Sequence, residues 1–73
     1  MTEINFTLYA GDEYIQLIQL LKATNCAMTG GEAQDVVVEG LVKRNGEIEL
    51  RKRAKCVPGD VIEFDQFRIT IQG

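Results

Sequence analysis

The 73-residue chain contains no histidine and no tryptophan, and it has only one proline and two cysteines. Without imidazole the sequence excludes a Ser-His pair, histidine acid/base catalysis and most zinc sites. No apolar run approaches the ~18 residues that a membrane span needs. A domain this short hides only roughly 60% of its extended-chain surface, so a deep catalytic cleft is not expected. We therefore predict a single domain over residues 1–73 that is not an enzyme and needs no cofactor or metal.

The cysteines, Cys26 and Cys56, do not form a C-x-x-C pair. Two thiols with no histidine partner do not suit a metal site, and we interpret them as half-buried free thiols, although the sequence leaves a disulfide open. The first residues are acidic and mixed, so no signal peptide is expected. These observations predict a cytoplasmic protein without a membrane partner.

Positive charge is scarce overall but concentrated in one segment. The net charge is −3, yet six of the eight Lys and Arg residues fall between residues 43 and 55, where only two acids occur. That segment carries +4 and the rest of the chain −7. Within a Debye length of about 8–10 Å a partner feels the local patch more than the total charge. The distribution favours a polyanionic partner over an ordinary solvated face. No aromatic residue lies within the segment, so base stacking is not expected there.

The first half of the chain predicts one strand and two helices. Apolar and polar residues alternate over residues 4–8, as in a strand. Apolar residues recur at helical spacing from Asp12, the expected N-cap, to about residue 24. Residues 29–32, Thr-Gly-Gly-Glu, match a capping box that opens a second helix, which Gly40 ends. The two helices are separated by a few residues and are expected to pack together.

A hairpin is expected over residues 42–50, around Asn45-Gly46. A two-residue loop is the usual form for this dipeptide, but it pairs Val42 with Glu49 and mixes apolar and charged residues on one face. We therefore predict a three-residue loop that pairs Val42 with Ile48 and places Arg44 at the exposed tip.

The last third of the chain predicts three further features. Residues 51–55 are expected to be extended, with the basic side chains at alternate positions pointing one way. Residues 57–60, Val-Pro-Gly-Asp, are typical of a turn. A final hairpin over residues 61–71 turns around Asp65-Gln66 and keeps its large apolar residues on one face. The prediction is an α+β fold of order β-α-α-β-β-β, with two packed helices against a small, mostly antiparallel sheet.

Residues 28–46 and 51–64 resemble the RNA-binding domain named for the fourth protein of the small ribosomal subunit, also called the αL motif. The family pattern has a Ser or Thr opening the second helix, an Ala one turn later, then G-x-V, N-G and a late P-G-D. In this chain these are Thr29, Ala33, Gly40-Leu41-Val42, Asn45-Gly46 and Pro58-Gly59-Asp60. The likeness covers about residues 14–64 and is strongest to the short, stand-alone bacterial members.

The resemblance implies a protein that docks structured RNA, ribosomal RNA or tRNA. We further expect a monomer without a small-molecule substrate. It places the contact at the start of the second helix and on the adjoining basic hairpin and strand. Basic residues that are common in the first turns of that helix are absent here, so the hairpin and residues 51–55 are expected to dominate. The implied RNA-binding residues are Thr29, Gly30, Gly31, Gln34, Lys43, Arg44, Asn45, Arg51, Lys52, Arg53 and Lys55.

Two other classes of function remain open from the residues. A β-grasp sulfur carrier or ubiquitin-like protein fits the length, the acidity, the Pro-Gly-Asp and the terminal glycine, although such carriers end in Gly-Gly and lack two adjacent helices near the start. A protein-interaction module would instead use the basic strip to dock on an acidic partner.

Overall fold

The computed structural model describes all 73 residues, and it contains seven strands and two helices joined by turns and loops. In chain order they are β1 (Thr2–Thr7), β2 (Ile15–Gln16), α1 (Leu17–Ala23), α2 (Gly30–Val38), β3 (Val42–Arg44), β4 (Glu47–Ile48), β5 (Lys55–Cys56), β6 (Val61–Phe64) and β7 (Phe67–Gln72). Neither helix is long and apolar enough to cross a membrane.

Five of the strands form one sheet in the order β1-β7-β6-β3-β4. β1 lies parallel to β7, and the other neighbours are antiparallel. β2 and β5 form a separate antiparallel pair. The predicted α+β class, with two helices against a small and mostly antiparallel sheet, is confirmed. The structure has seven strands where the predicted order β-α-α-β-β-β had four, and the added strands include the short β2 and β5.

The core lies between the helices and one face of the five-stranded sheet. Leu17, Leu20 and Leu21 of α1 are fully buried against a cluster that includes Ile62 and Ile69 of the sheet. Fully burying one such aliphatic side chain is worth about 1.5–3 kcal/mol, so this cluster is the main stabilising element of a small domain. The period-2 pattern of the first strand and the register of the final hairpin, in which Phe64 faces Phe67, are both confirmed.

α1 begins at Leu17 with Gln16 as its N-cap, four residues later than predicted, and Asp12 does not cap it. Residues 15 and 16 are extended instead because they pair with β5. The free amides at the start of the helix find distant partners: the Leu17 amide donates to the Ala54 carbonyl at 2.9 Å, and the Ile18 amide to the Lys52 carbonyl at 3.2 Å. Tertiary pairing therefore replaced the local cap that the sequence favoured.

α2 begins and ends as the sequence predicts. The Thr29 hydroxyl oxygen accepts a hydrogen bond from the Glu32 amide at 3.1 Å, as an N-cap residue does. Gly40 adopts φ +75° just after the helix. The amides of Gly40 and Leu41 then donate to the last free carbonyls of the helix, those of Val37 and Val36.

The hairpin between β3 and β4 has a two-residue loop, so the predicted three-residue loop is wrong. Asn45 and Gly46 have φ of 53° and 88°, the left-handed values that a type I′ turn requires at both positions. Arg44 consequently pairs with Glu47. The Glu49 amide donates to the Val42 carbonyl at 2.9 Å, which is the pairing that the sequence analysis rejected.

The rejected pairing is possible because the structure neutralises Glu49. This carboxylate is buried, but it lies 3.0 Å from the Arg51 guanidinium and 3.5 Å from that of Arg44. A buried charge that is paired and hydrogen-bonded loses much of its desolvation cost. The apolar Ile48 and Leu50 lie on the other face and are exposed, contrary to the expectation that they would join Val42 in the core.

Candidate nucleic-acid interface

Residues 51–55, which we call the basic loop, form a turn rather than the predicted extended segment. The Ala54 amide donates to the Arg51 carbonyl at 3.2 Å, and the Ala54 side chain is buried. The carbonyls of Lys52 and Ala54 are held by the first amides of α1. The predicted extended conformation is wrong because these hydrogen bonds with α1 and the burial of Ala54 bend the backbone. They fix the backbone of the loop and leave its four cationic side chains exposed.

Three of the four exposed cations of the basic loop line an open cleft. The cleft has a volume of about 430 Å³ and is lined by Arg44, Arg51, Arg53, Ala54 and Lys55. The side chain of Arg51 is 75% exposed although it is paired with Glu49. Lys52 and Arg53 form no ion pair within the protein. The loop therefore presents cationic groups whose charge is available to a polyanion.

Arg44 does not lie at an exposed tip, because its half-buried guanidinium is held by hydrogen bonds within the protein. Its Nε and Nη2 donate to Asp60 Oδ2 at 3.1 and 2.8 Å, and Nη2 also donates to the Lys55 carbonyl at 2.8 Å. Asn45 Nδ2 donates to Asp60 Oδ1 at 3.0 Å, and the Val57 amide donates to Oδ2 at 2.9 Å. Two of the candidate residues thus support the basic loop from below, and Asp60 is the acceptor that joins them.

Glu49 fixes the start of the basic loop. Its two carboxylate oxygens accept from Nε and Nη2 of Arg51 at 3.1 and 3.0 Å, and from the Arg51 backbone amide at 3.2 Å. These hydrogen bonds from Arg51 lower the pKa of the Glu49 carboxyl despite its burial. Burial raises the pKa of Asp60, but the hydrogen bonds from Val57, Asn45 and Arg44 outweigh it and leave that pKa lowered.

The lowered pKa values predict loss of stability in acid. A carboxyl with a folded pKa below its unfolded value of about 4 stabilises the protein fully above that value and loses this contribution as the pH falls through the folded pKa. We expect the melting temperature to decline as the pH is lowered below about 4, and the decline to be shallower in Glu49→Gln. Thermal denaturation followed by circular dichroism between pH 7 and pH 2 measures this. The exposed Glu39→Gln should retain the full decline, and an unchanged profile in Glu49→Gln would contradict the assignment.

Lys43 lies on the opposite face of the sheet from Val42 and Arg44, because successive strand residues point to opposite faces. Across the sheet Lys43 pairs with Glu63 of β6. Glu63 pairs with Arg68 of β7, and Arg68 pairs with Glu3 of β1. Arg68 Nη1 contacts Glu3 Oε1 at 2.9 Å. Charges therefore alternate across this outer face, and the structure does not bring Lys43 together with the basic loop on a single ridge.

The start of α2 forms a third surface element. Thr29, Gly31 and Gln34 are exposed and Gly30 is half-buried. No hydrogen bond or ion pair joins these residues to the basic loop. The residues proposed from the sequence are thus divided among the basic loop, the support beneath it, the outer sheet face and the start of α2.

Three residues of the basic surface were missed by sequence reasoning. Tyr14, assigned to the apolar stripe of a helix, lies beside the basic loop, where Lys55 Nζ is 5.1 Å from the centroid of its ring. Glu49 was missed because the predicted three-residue loop placed it on the solvent face. The two-residue loop that is usual for Asn-Gly places it on the same face as Val42. Asp60 was recognised only as part of a turn, although its position after Pro-Gly is the signal for its hydrogen bond to the Val57 amide.

The fold and the fixed, exposed cations together define a small α+β module with one surface suited to polyanions. The chain belongs to the S4 domain family, whose model matches residues 8–72.

Similar proteins carry related descriptions. The chain is 37% identical over 51 residues to "Putative RNA-binding protein YbcJ" of Escherichia coli (strain K12), which covers 70% of this chain and 73% of that protein. The same values relate it to "Uncharacterized protein YbcJ" of Shigella flexneri. The solution structure of YbcJ from E. coli, described as revealing an αL motif involved in RNA binding, has a TM-score of 0.73 and 30% identity. That match covers 94% of this chain and 86% of YbcJ.

Proposed function

We propose that the protein binds structured RNA through the basic loop and catalyses no reaction. The observation that carries the proposal is the fixed loop backbone, which displays Arg51, Arg53 and Lys55 around one open cleft and leaves Lys52 exposed on the same loop. Membership of the S4 domain family and the RNA-binding description of YbcJ support it. Ribosomal RNA or tRNA in the cytoplasm is the proposed target, bound by a monomer.

The charge distribution supports recognition of RNA by its backbone. Phosphates are attracted to the basic loop, while the net −7 carried outside residues 43–55 opposes binding elsewhere. Arginine suits this role because its planar fork holds two phosphate oxygens. The compact cleft favours a folded RNA, whose phosphates lie close together, over an extended strand.

The remaining candidate residues take different parts in the proposal. Arg44 and Asn45 support the loop through Asp60 rather than meeting phosphate as free groups. The start of α2, with Thr29, Gly30, Gly31 and Gln34, is a second proposed contact because its residues are largely exposed. Lys43 on the outer sheet face contributes only if the RNA reaches around the β4 edge.

Binding of a labelled, folded RNA hairpin, followed by fluorescence anisotropy at several salt concentrations, tests the proposal. Four cations that neutralise phosphates predict a slope of about −2.8 to −3.6 for log K against log salt. Affinity that does not change with salt would contradict phosphate binding. Crosslinking in cells, with sequencing of the bound RNA, identifies the target and tests the choice of ribosomal RNA or tRNA.

The other two classes are less well supported. A β-grasp carrier does not fit a chain that matches the S4 domain over residues 8–72. No specific observation favours an acidic protein partner over RNA for the basic loop.

A further inference from the structure

Tyr14 lies at the boundary between two clefts of opposite character. Its side chain is 40% exposed, and Lys55 Nζ is 5.1 Å from its ring centroid. Lys55 also lines the basic cleft described above. Tyr14 also lines a second open cleft, of about 520 Å³, together with Gly11, Asp12, Glu13, Gln16 and Gln19. The Tyr14–Lys55 pair therefore joins the two.

The pairing of β2 with β5 holds the backbone of Tyr14 next to that of the basic loop. Tyr14 directly precedes β2, and β2 pairs with β5, in which Ile15 faces Cys56 and Gln16 faces Lys55. Cys56 is fully buried, so this pair of strands is anchored in the core. Tyr14 is thus held beside the basic loop by the pairing of β2 with β5, the strand that carries Lys55.

We propose that Tyr14 stacks an unpaired nucleobase in this second cleft while the backbone of the same nucleotide is held by the basic loop. The inference rests on the proposed RNA binding and adds a base site to it. An exposed aromatic ring next to cationic side chains is the usual platform for unstacked bases in RNA. Tyr14 is exposed and lines the second cleft, whereas Lys55 does not line it.

The polar residues of the second cleft suit the edge of a base and not a phosphate. Asp12 and Glu13 repel the sugar-phosphate backbone, so a nucleotide entering from the basic loop directs its base toward them. Carboxylates accept hydrogen bonds from the amino groups of bases, and the amides of Gln16 and Gln19 both donate and accept. The two clefts together orient one nucleotide, with phosphate on the cationic side and base on the acidic side.

Affinity measurements with matched RNAs test the base site. One probe is a hairpin RNA with an unpaired loop of mixed sequence, and the other is the same hairpin with abasic residues in the loop. We expect the protein to bind the intact hairpin about 5- to 100-fold more tightly than the abasic one, which is the worth of one stacked base. Tyr14→Leu should abolish this preference and leave the salt dependence unchanged, whereas Tyr14→Phe and the exposed control Tyr9→Leu should retain it.

Fluorescence gives an independent readout because the chain has no tryptophan and two tyrosines. In Tyr9→Phe, Tyr14 is the only tyrosine, and stacking on a base should quench its emission with the intact hairpin and not with the abasic one. Salt-dependent binding of both hairpins with equal affinity and no quenching would overturn the base site and leave the proposed RNA binding intact. Absence of salt-dependent binding to either RNA would overturn both.

Discussion

Replacing Lys52 and Arg53 together with alanine is expected to weaken binding of a folded RNA hairpin by about 10- to 100-fold at ~0.1 M salt, since two charge-assisted phosphate contacts are lost. The magnitude of the salt slope should fall by about 1.4–1.8. Stability should be nearly unchanged, because neither residue forms an ion pair in the protein and both are exposed. Fluorescence anisotropy across a salt series and a thermal melt of the same samples measure the two effects.

The matched control is the double variant Lys22→Ala with Lys43→Ala. It removes the same number of positive charges from exposed positions on α1 and on the outer sheet face. If the basic loop forms the interface, this control should retain most of the affinity and the full salt slope. Equal losses in the two double variants would mean that total charge, and not the loop, determines binding.

Asp60→Asn is expected to reduce the free energy of unfolding by about 3 kcal/mol or more, because it leaves the half-buried Arg44 guanidinium without its buried, charged acceptor. Asp60 accepts four hydrogen bonds, from Arg44 Nε and Nη2, Asn45 Nδ2 and the Val57 amide. The isosteric amide keeps the shape but turns one acceptor into a donor. For a domain of this size the loss corresponds to a fall in melting temperature of about 12–24 °C.

Circular dichroism during heating measures the change at pH 7, where the carboxylate is ionised. Asp35→Asn, on the exposed side of α2, makes the same chemical change without such partners and should melt within a few degrees of the original protein. A similarly small shift for Asp60→Asn would show that the hydrogen bonds of Asp60 are not what holds the β3–β4 turn to the rest of the fold.

Local signals in the sequence predicted those parts of the fold that local physics determines. The cap of α2 at Thr29, its end at Gly40 and the turn at residues 57–60 each depend on groups within a few residues, and the structure has all three. The final hairpin was predictable because one register alone places its large apolar residues on a single face.

The errors fall where distant contacts override the local signal. α1 starts late because β5, some 40 residues away in the chain, pairs with residues that would otherwise join the helix. The three-residue loop was preferred because a buried Glu49 looked unfavourable, and the arginines that neutralise it come from outside the pair considered. The charge of the candidate surface was visible in the sequence, but its division among separate faces depends on this tertiary packing.

The basic loop caps the start of α1, so the loop and the helix depend on each other for their folded conformations. A seven-residue helix is too short to persist alone in water, so α1 depends on its packing in the core and on the hydrogen bonds that its first amides donate to the carbonyls of Lys52 and Ala54. The same hydrogen bonds give the loop its turn. A free peptide with the sequence of residues 51–55 would carry the four cations of the basic loop yet none of their geometry, and the proposed recognition of a folded RNA therefore requires the hydrophobic core.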